Sequence, residues 1–320
     1  MKKLHFILSA LLLMTFVACG DDENEYQIGK KGTDIPIQTD PHQEGGPEEA
    51  KTNLEFPALK GGNSVVIVHN ATLNDKLNIS GINYSVEWDT DIHAQRWSCY
   101  TLYSDINWKS GQNVTRYRPG TSTYLTSDSQ YPNDPLLDSK YQFTSDSYRS
   151  SGYDHGHICP SADRLRSTDC NYQTFFMTNM QPQGHTFNEG VWGNMEDQLR
   201  QWANRHDKLY ICKGGTIENI EGKTDYIVKT LGSGINKIPV PRYFFMAVLA
   251  QTGSTYKAIG FWINQTSYSS TQPKDYAINI QTLQKNTGID FFVNLPDDIE
   301  NEVENVTQSK AIGDWTWTSY

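Results

Sequence analysis

The sequence lacks a surplus of positive charge. Its 27 Lys and Arg stand against 37 Asp and Glu, a formal net charge of −10. That balance excludes a protein that grips a polyanion by neutralising it across its whole surface. It leaves room for a local cationic cleft, because much of the acidity lies towards the ends, with Asp21, Asp22, Glu23, Glu25, Glu44, Glu48 and Glu49 on one side and Asp297, Asp298, Glu300, Glu302 and Glu304 on the other. Cysteine is scarce, five in 320 residues, and no two stand in a Cys-x-x-Cys pair. The paired-thiol signature of structural zinc modules is therefore missing. No internal repeat and no second break in composition is present, which favours one domain over a repeat array. The apolar run at residues 6–18 is too short to span a bilayer comfortably.

That run follows Lys2 and Lys3 and reads as an export signal. It ends in Phe16-Val17-Ala18-Cys19, which resembles a bacterial lipobox. The resemblance implies a signal peptide over residues 1–18, a lipid on Cys19 that anchors the chain to a membrane, and a place in the bacterial cell envelope, at the outer membrane and facing the surface or the periplasm. Residues 19–53 are polar, with Pro36, Pro41, Gly45, Gly46 and Pro47 and no sustained apolar periodicity. They read as a flexible tether. With Cys19 set aside, Cys99, Cys159, Cys170 and Cys212 are an even number in an oxidising compartment, which predicts up to two disulfides among three pairings.

The remainder has enough apolar material for a core, 37% hydrophobic and 12% aromatic overall. Runs rich in aromatic and β-branched residues at 65–68, 84–88, 96–103, 174–178, 209–212, 243–250 and 256–263 read as strands. One helix is expected over 189–206, where Val191, Trp192, Met195, Leu199, Trp202 and Ala203 fall on a stripe roughly 120° wide. Asn188 stands where a helix N-cap belongs. The reading is a single α+β domain over residues 54–320, its central antiparallel sheet flanked by helices.

Two clusters could carry chemistry. The first is Gly152-Tyr153-Asp154-His155-Gly156-His157-Ile158-Cys159-Pro160-Ser161-Ala162-Asp163-Arg164. A histidine near its ordinary pKa can take a proton from water at neutral pH. Two histidines around a glycine also fit a plain turn. The second cluster is Thr178-Asn179-Met180-Gln181-Pro182-Gln183, then Phe187-Asn188-Glu189-Gly190-Val191-Trp192, then Glu196. Magnesium is commonly held by one or two protein oxygens plus waters, which an Asn188 amide oxygen near a Glu196 carboxylate would suit. Equally, Asn188 could be only a cap and Glu196 only a partner for Arg200, four residues on.

The order and spacing of the two clusters resemble the DNA/RNA non-specific endonuclease family, in which Asp-Arg-Gly-His precedes Asn-x-x-Pro-Gln and an Asn-x-Gly-x-Trp segment leading to a glutamate. The resemblance implies a ββα-metal active-site motif and hydrolysis of phosphodiester bonds in DNA, RNA or both. It implies Mg2+ as cofactor, with Mn2+ or another divalent cation as alternatives. His157 would be the general base, Asn188 the metal ligand, and Glu196 the residue that orients water on the metal. Arg200 and Arg96 would stand near the phosphate, with Asp154, Asn179 and Gln183 in support. One departure is plain: His155 replaces the family arginine, so a titratable ring stands where a permanent charge is usual.

Two other readings compete. His155, His157, Cys159 and Cys170 could form a structural zinc site, although their spacing lacks the usual pairs. A tethered domain with 8 Trp and 18 Tyr could instead bind a glycan or another polymer at a surface.

Overall fold

The structure, a computed structural model, describes residues 37–39, 53–74, 79–103, 114–120 and 124–320. The export signal at 1–18 and the lipidation residue Cys19 lie outside the described residues. So does most of the tether, but Ile37–Thr39, expected within it, forms a short edge strand, β1, parallel to the next.

The strands β2 (Ser64–Asn74), β3 (Ile79–Asp89) and β4 (Ala94–Tyr103) form a meander. A two-stranded ribbon follows, β5 (Asp154–His157) with β6 (Met180–Gln183). Then come β7 (Lys208–Gly215), the hairpin β8 (Ile227–Leu231) with β9 (Ile238–Pro241), β10 (Tyr243–Thr252), β11 (Thr255–Asn264) and the short β12 (Ala277–Ile278). The main sheet runs β1-β2-β3-β4-β7-β10-β11-β12. All its pairings after β1 with β2 are antiparallel. The helices are α1 (Thr168–Gln173), α2 (His185–Phe187), α3 (Gly193–Ala203), α4 (Ile280–Thr287), α5 (Asp297–Glu304) and α6 (Gln308–Gly313).

Both faces of the sheet are covered, so its strands read as nearly unbroken apolar runs. In β10, Phe244, Met246 and Val248 face one core with Trp192, Met195, Leu199 and Trp202. Phe245, Ala247 and Leu249 alternate into a second core with Ile280, Leu283, Phe291 and Val303. The expected helical stripe is buried along its whole length. Strands β4 and β7 are neighbours at the middle of the sheet, and the long excursion between them carries the β5–β6 ribbon and α3.

Three sequence expectations are corrected. Residues 174–178 are not a strand but turns leading into a 3-10 turn at Met177–Asn179. Phe175 and Phe176 are both buried there, and adjacent buried residues suit a turn inside the core as well as a strand. Asn188 is not an N-cap, because the helical path begins at His185, Gly184 takes the cap position, and Asn188 N donates to Gly184 O at 2.9 Å. A wide π-type turn, Asn188–Trp192, then joins α2 to α3 through Gly190, whose φ −95°, ψ −114° is not helical. Such turns displace side chains outward and recur at functional sites. Finally, Cys99, Cys159, Cys170 and Cys212 are all buried free thiols, so the expected disulfides are absent among the described residues.

Candidate active site

A polar cleft of about 540 Å3 opens where the β5–β6 ribbon meets the π-type turn. His155 and His157 enter it from β5, Asn188 and Glu189 from the turn, Glu196 from α3, and Arg116 and Tyr131 from the preceding loops. Thus the structure brings His157, His155, Asp154, Asn188 and Glu196 together.

Ribbon packing sets the position of His157. A Cβ at Gly156 would lie 2.3 Å from the Gln183 side chain, so Gln183, itself fully buried, can pack across β5 only because residue 156 is glycine. Asn179 fixes the chain beyond. Its Oδ1 accepts from Cys159 N at 2.9 Å, and its Nδ2 donates to Cys159 O at 2.9 Å and Thr174 O at 2.8 Å. Both supporting residues therefore act on the backbone around His157. The His157 ring meets Phe175 edge-on at 4.7 Å, and its Nε2 has no protein hydrogen-bond partner. Burial above all, then the charges of Arg116, His155 and Lys213, pushes its pKa down to about 3. The ring is therefore held neutral around pH 7, its pKa well below the ordinary histidine value expected from the sequence, with Nε2 unpartnered.

His155 is held differently. Its ring stacks on Tyr131 at 3.7 Å and 6° and on Tyr148 at 4.1 Å and 19°. Its Nε2 lies 3.1 Å from Asp146 Oδ1, and because a carboxylate accepts, that nitrogen carries the hydrogen. Burial lowers its pKa, opposed by Asp146. This ring is a flat, hydrogen-bonded filler and supplies no permanent charge to the cleft.

Asp154 Oδ2 accepts from the Asn188 side-chain amide at 3.0 Å and from His185 Nδ1 at 3.0 Å. The first bond turns the Asn188 nitrogen towards Asp154 and leaves Oδ1 as the atom a cation would meet. Glu196, 14% exposed at its side chain, does not pair with Arg200. It accepts from Lys213 Nζ at 2.7 Å, and Lys213 is wholly buried. An amide oxygen beside a carboxylate is a hard donor set that fits a divalent cation of the magnesium type.

The two expected arginines lie elsewhere. Arg200 Nη1 donates to the buried Asp163 at 2.9 Å, with Asp197 at 3.6 Å from its Nε. Arg200 thus braces α3 against the 161–164 turn one helical turn beyond Glu196. Arg96 is bound by Asp89 and Glu218 and lines a separate cavity of about 240 Å3 with Lys60 and Glu87. The cation that the structure brings beside His157 is Arg116, over the Phe175 ring at 5.2 Å. Sequence reasoning missed it; the basic and aromatic run Arg116-Tyr117-Arg118 was the available signal. It also missed Lys213, a cation within the buried part of β7.

The competing site readings lose their geometry. Among the described residues, the one cluster of three or more His, Cys, Asp or Glu groups close enough to share an ion is Asp290, Glu300 and Glu304, so His155, His157, Cys159 and Cys170 make no zinc site. Trp88, Trp97, Trp192, Trp202 and Trp315 are buried, and Leu125 is the sole large hydrophobic residue exposed among the described residues. Core packing accounts for those aromatics.

A buried-sheet domain whose ribbon and following helix present a histidine, an asparagine and a glutamate to one cleft is a ββα-metal nuclease fold. The model of the DNA/RNA non-specific endonuclease family matches residues 62–298. The chain belongs to that family. It is 32% identical over 167 residues to a nuclease of Nostoc sp., covering 49% of this chain and 57% of that protein. It is 32% identical over 155 residues to a nuclease of Syncephalastrum racemosum, covering 45% and 48%. The chain thus spans about half the length of these relatives. A chain from the crystal structure of an EndoG/EndoGI complex superposes with a TM-score of 0.56 at 20% identity, covering 68% of this chain and 85% of that one.

Proposed function

We propose that the chain is a metal-dependent, sequence-non-specific endonuclease that hydrolyses phosphodiester bonds of DNA, RNA or both, with Mg2+ held at Asn188. The observation that carries this reading is a neutral histidine, an oriented amide oxygen, a carboxylate and an arginine converging on one polar cleft. His157 takes the proton of the attacking water. Asp154 orients Asn188, whose Oδ1 would hold the cation, and Glu196 would accept hydrogen bonds from water on it. Arg116 faces the phosphate charge that grows in the transition state. The divalent cation, when bound, supplies electrophilic stabilisation of that charge. Contacts confined to phosphate read no bases, which supports the broad substrate range.

The test is incubation of the purified protein with plasmid DNA and with RNA, in Mg2+, in Mn2+ and in EDTA. Cleavage is expected with metal and none with EDTA; intact substrate across pH 6 to 9 with every metal refutes the reading. The lipid on Cys19 and the envelope location are separate proposals, carried by the residues of the lipobox. Cys19→Ser is expected to release the protein from the membrane fraction, and its retention there would oppose both.

A further inference from the structure

A wholly buried lysine is left outside this mechanism. Lys213 sits in β7 at the middle of the main sheet, its Cα paired with Met246 on one side and Ser98 on the other. Its side chain is 0% exposed. Neighbours on the same face of the strand, Leu209 and Ile211, are core residues, and the alternation asks for another apolar side chain at 213. Taking an ammonium out of water is expensive, and an apolar residue would serve a packed core at least as well. Stability does not explain Lys213.

Its surroundings do. Nζ donates to Glu196 Oε1 at 2.7 Å and lies 4.7 Å from the Trp192 ring and 6.0 Å from the Tyr100 ring, both buried. Trp192 and Glu196 are four residues apart on successive turns, so the ammonium ties the centre of the sheet to the helical segment that also carries Asn188. The neighbouring carboxylate, Asp163, is engaged by Arg200.

We infer that Lys213 is a positioning residue of the cleft: by holding Oε1 of Glu196 from beneath, it orients that carboxylate and leaves Oε2 to serve the metal site. The inference rests on the nuclease reading above. Burial raises the Glu196 pKa, and Lys213 is the largest influence that opposes the rise. The same cation is among the charges that keep His157 unprotonated.

The test is a double-mutant cycle of Lys213→Met, Glu196→Gln and the pair together, in the full chain. One arm measures kcat and KM on an oligonucleotide with Mg2+. The other measures Mn2+ binding without substrate by calorimetry. Lys213→Met is expected to lower kcat and Mn2+ affinity about 10- to 100-fold, as loss of an orienting partner does, with KM for the oligonucleotide within about 3-fold. The double mutant is expected to match Glu196→Gln in both arms, because the two act as a unit. Effects that multiply in the double mutant, or a Lys213→Met protein with wild-type kcat and Mn2+ affinity, overturn the inference. Should Lys213→Met fail to fold, the double mutant, neutral at both positions, still decides by its comparison with Glu196→Gln. A wild-type protein that cuts nothing sinks the nuclease reading alone, and the Mn2+ arm continues to report on Lys213.

Discussion

Asp154 Oδ2 lies 3.0 Å from the side-chain nitrogen of Asn188, and this one contact decides which end of the amide the cleft receives. With Asp154→Ala the amide is free to turn, and the metal concentration for half-maximal cleavage is expected to rise about 10- to 100-fold. A Mg2+ titration of the cleavage rate checks this. An unchanged midpoint would show that Asn188 needs no such partner.

His157→Ala is expected to lose at least roughly 10²-fold in kcat while staying folded. Because the wild-type ring stays neutral down to about pH 3, kcat/KM is expected to show no acidic limb from this base between pH 8 and 5. A limb near 6.5 that vanishes in the mutant would contradict the environment described for the ring. The same depression has a sign for stability. Between the ordinary value of 6.5 and about 3, only the unfolded chain binds the proton, so stability falls as pH falls through that window. His157→Gln, which lacks that proton site, is expected to lose less melting temperature on acidification from pH 7 to 4.

Arg116 and Arg96 make a paired comparison. Arg116→Ala is expected to cost about 10²- to 10³-fold in kcat, as removal of a preorganised donor does, and to flatten the salt dependence of KM by about one phosphate contact. Arg96→Ala is expected to leave kcat within about 3-fold and to lower stability, because it takes the cation from Asp89 and leaves Glu218 with Lys60 alone. Steady-state kinetics at several salt concentrations, with thermal melts, separate the two. The reverse pattern would return Arg96 to the phosphate.

The four internal cysteines yield a simple measurement. Free and buried, they are expected to react with a thiol reagent only after denaturation. Dithiothreitol is expected to leave the melting temperature unchanged. A drop of several degrees would reveal a disulfide, since losing one typically costs about 2 to 5 kcal/mol. Cys99 and Cys212 would then be the first pair to inspect, because they face each other across β4 and β7.

Much of this molecule was legible in the residues alone, and the failures have physical causes. Strands such as β10 and β11 announce themselves because both their faces are buried. The 174–178 run announces the same thing falsely, since Phe175 and Phe176 are buried side by side in a turn. That His157, Asn188 and Glu196 would meet in one cleft was legible because the ribbon and the helix are close in sequence. Asn188 was assigned a cap because a π-type turn leaves no compositional mark. Arg116 was missed because only folding brings it over Phe175. Lys213 was missed because a lysine in a strand ordinarily points to solvent.

The cleft's floor is fastened to β7, a strand with hydrogen-bonded neighbours on both sides and apolar cores above and below. Such a strand is among the last parts of a domain to open. Glu196 should therefore keep its place until the whole domain melts, so that heating would end the proposed cleavage in the same cooperative transition that ends the fold.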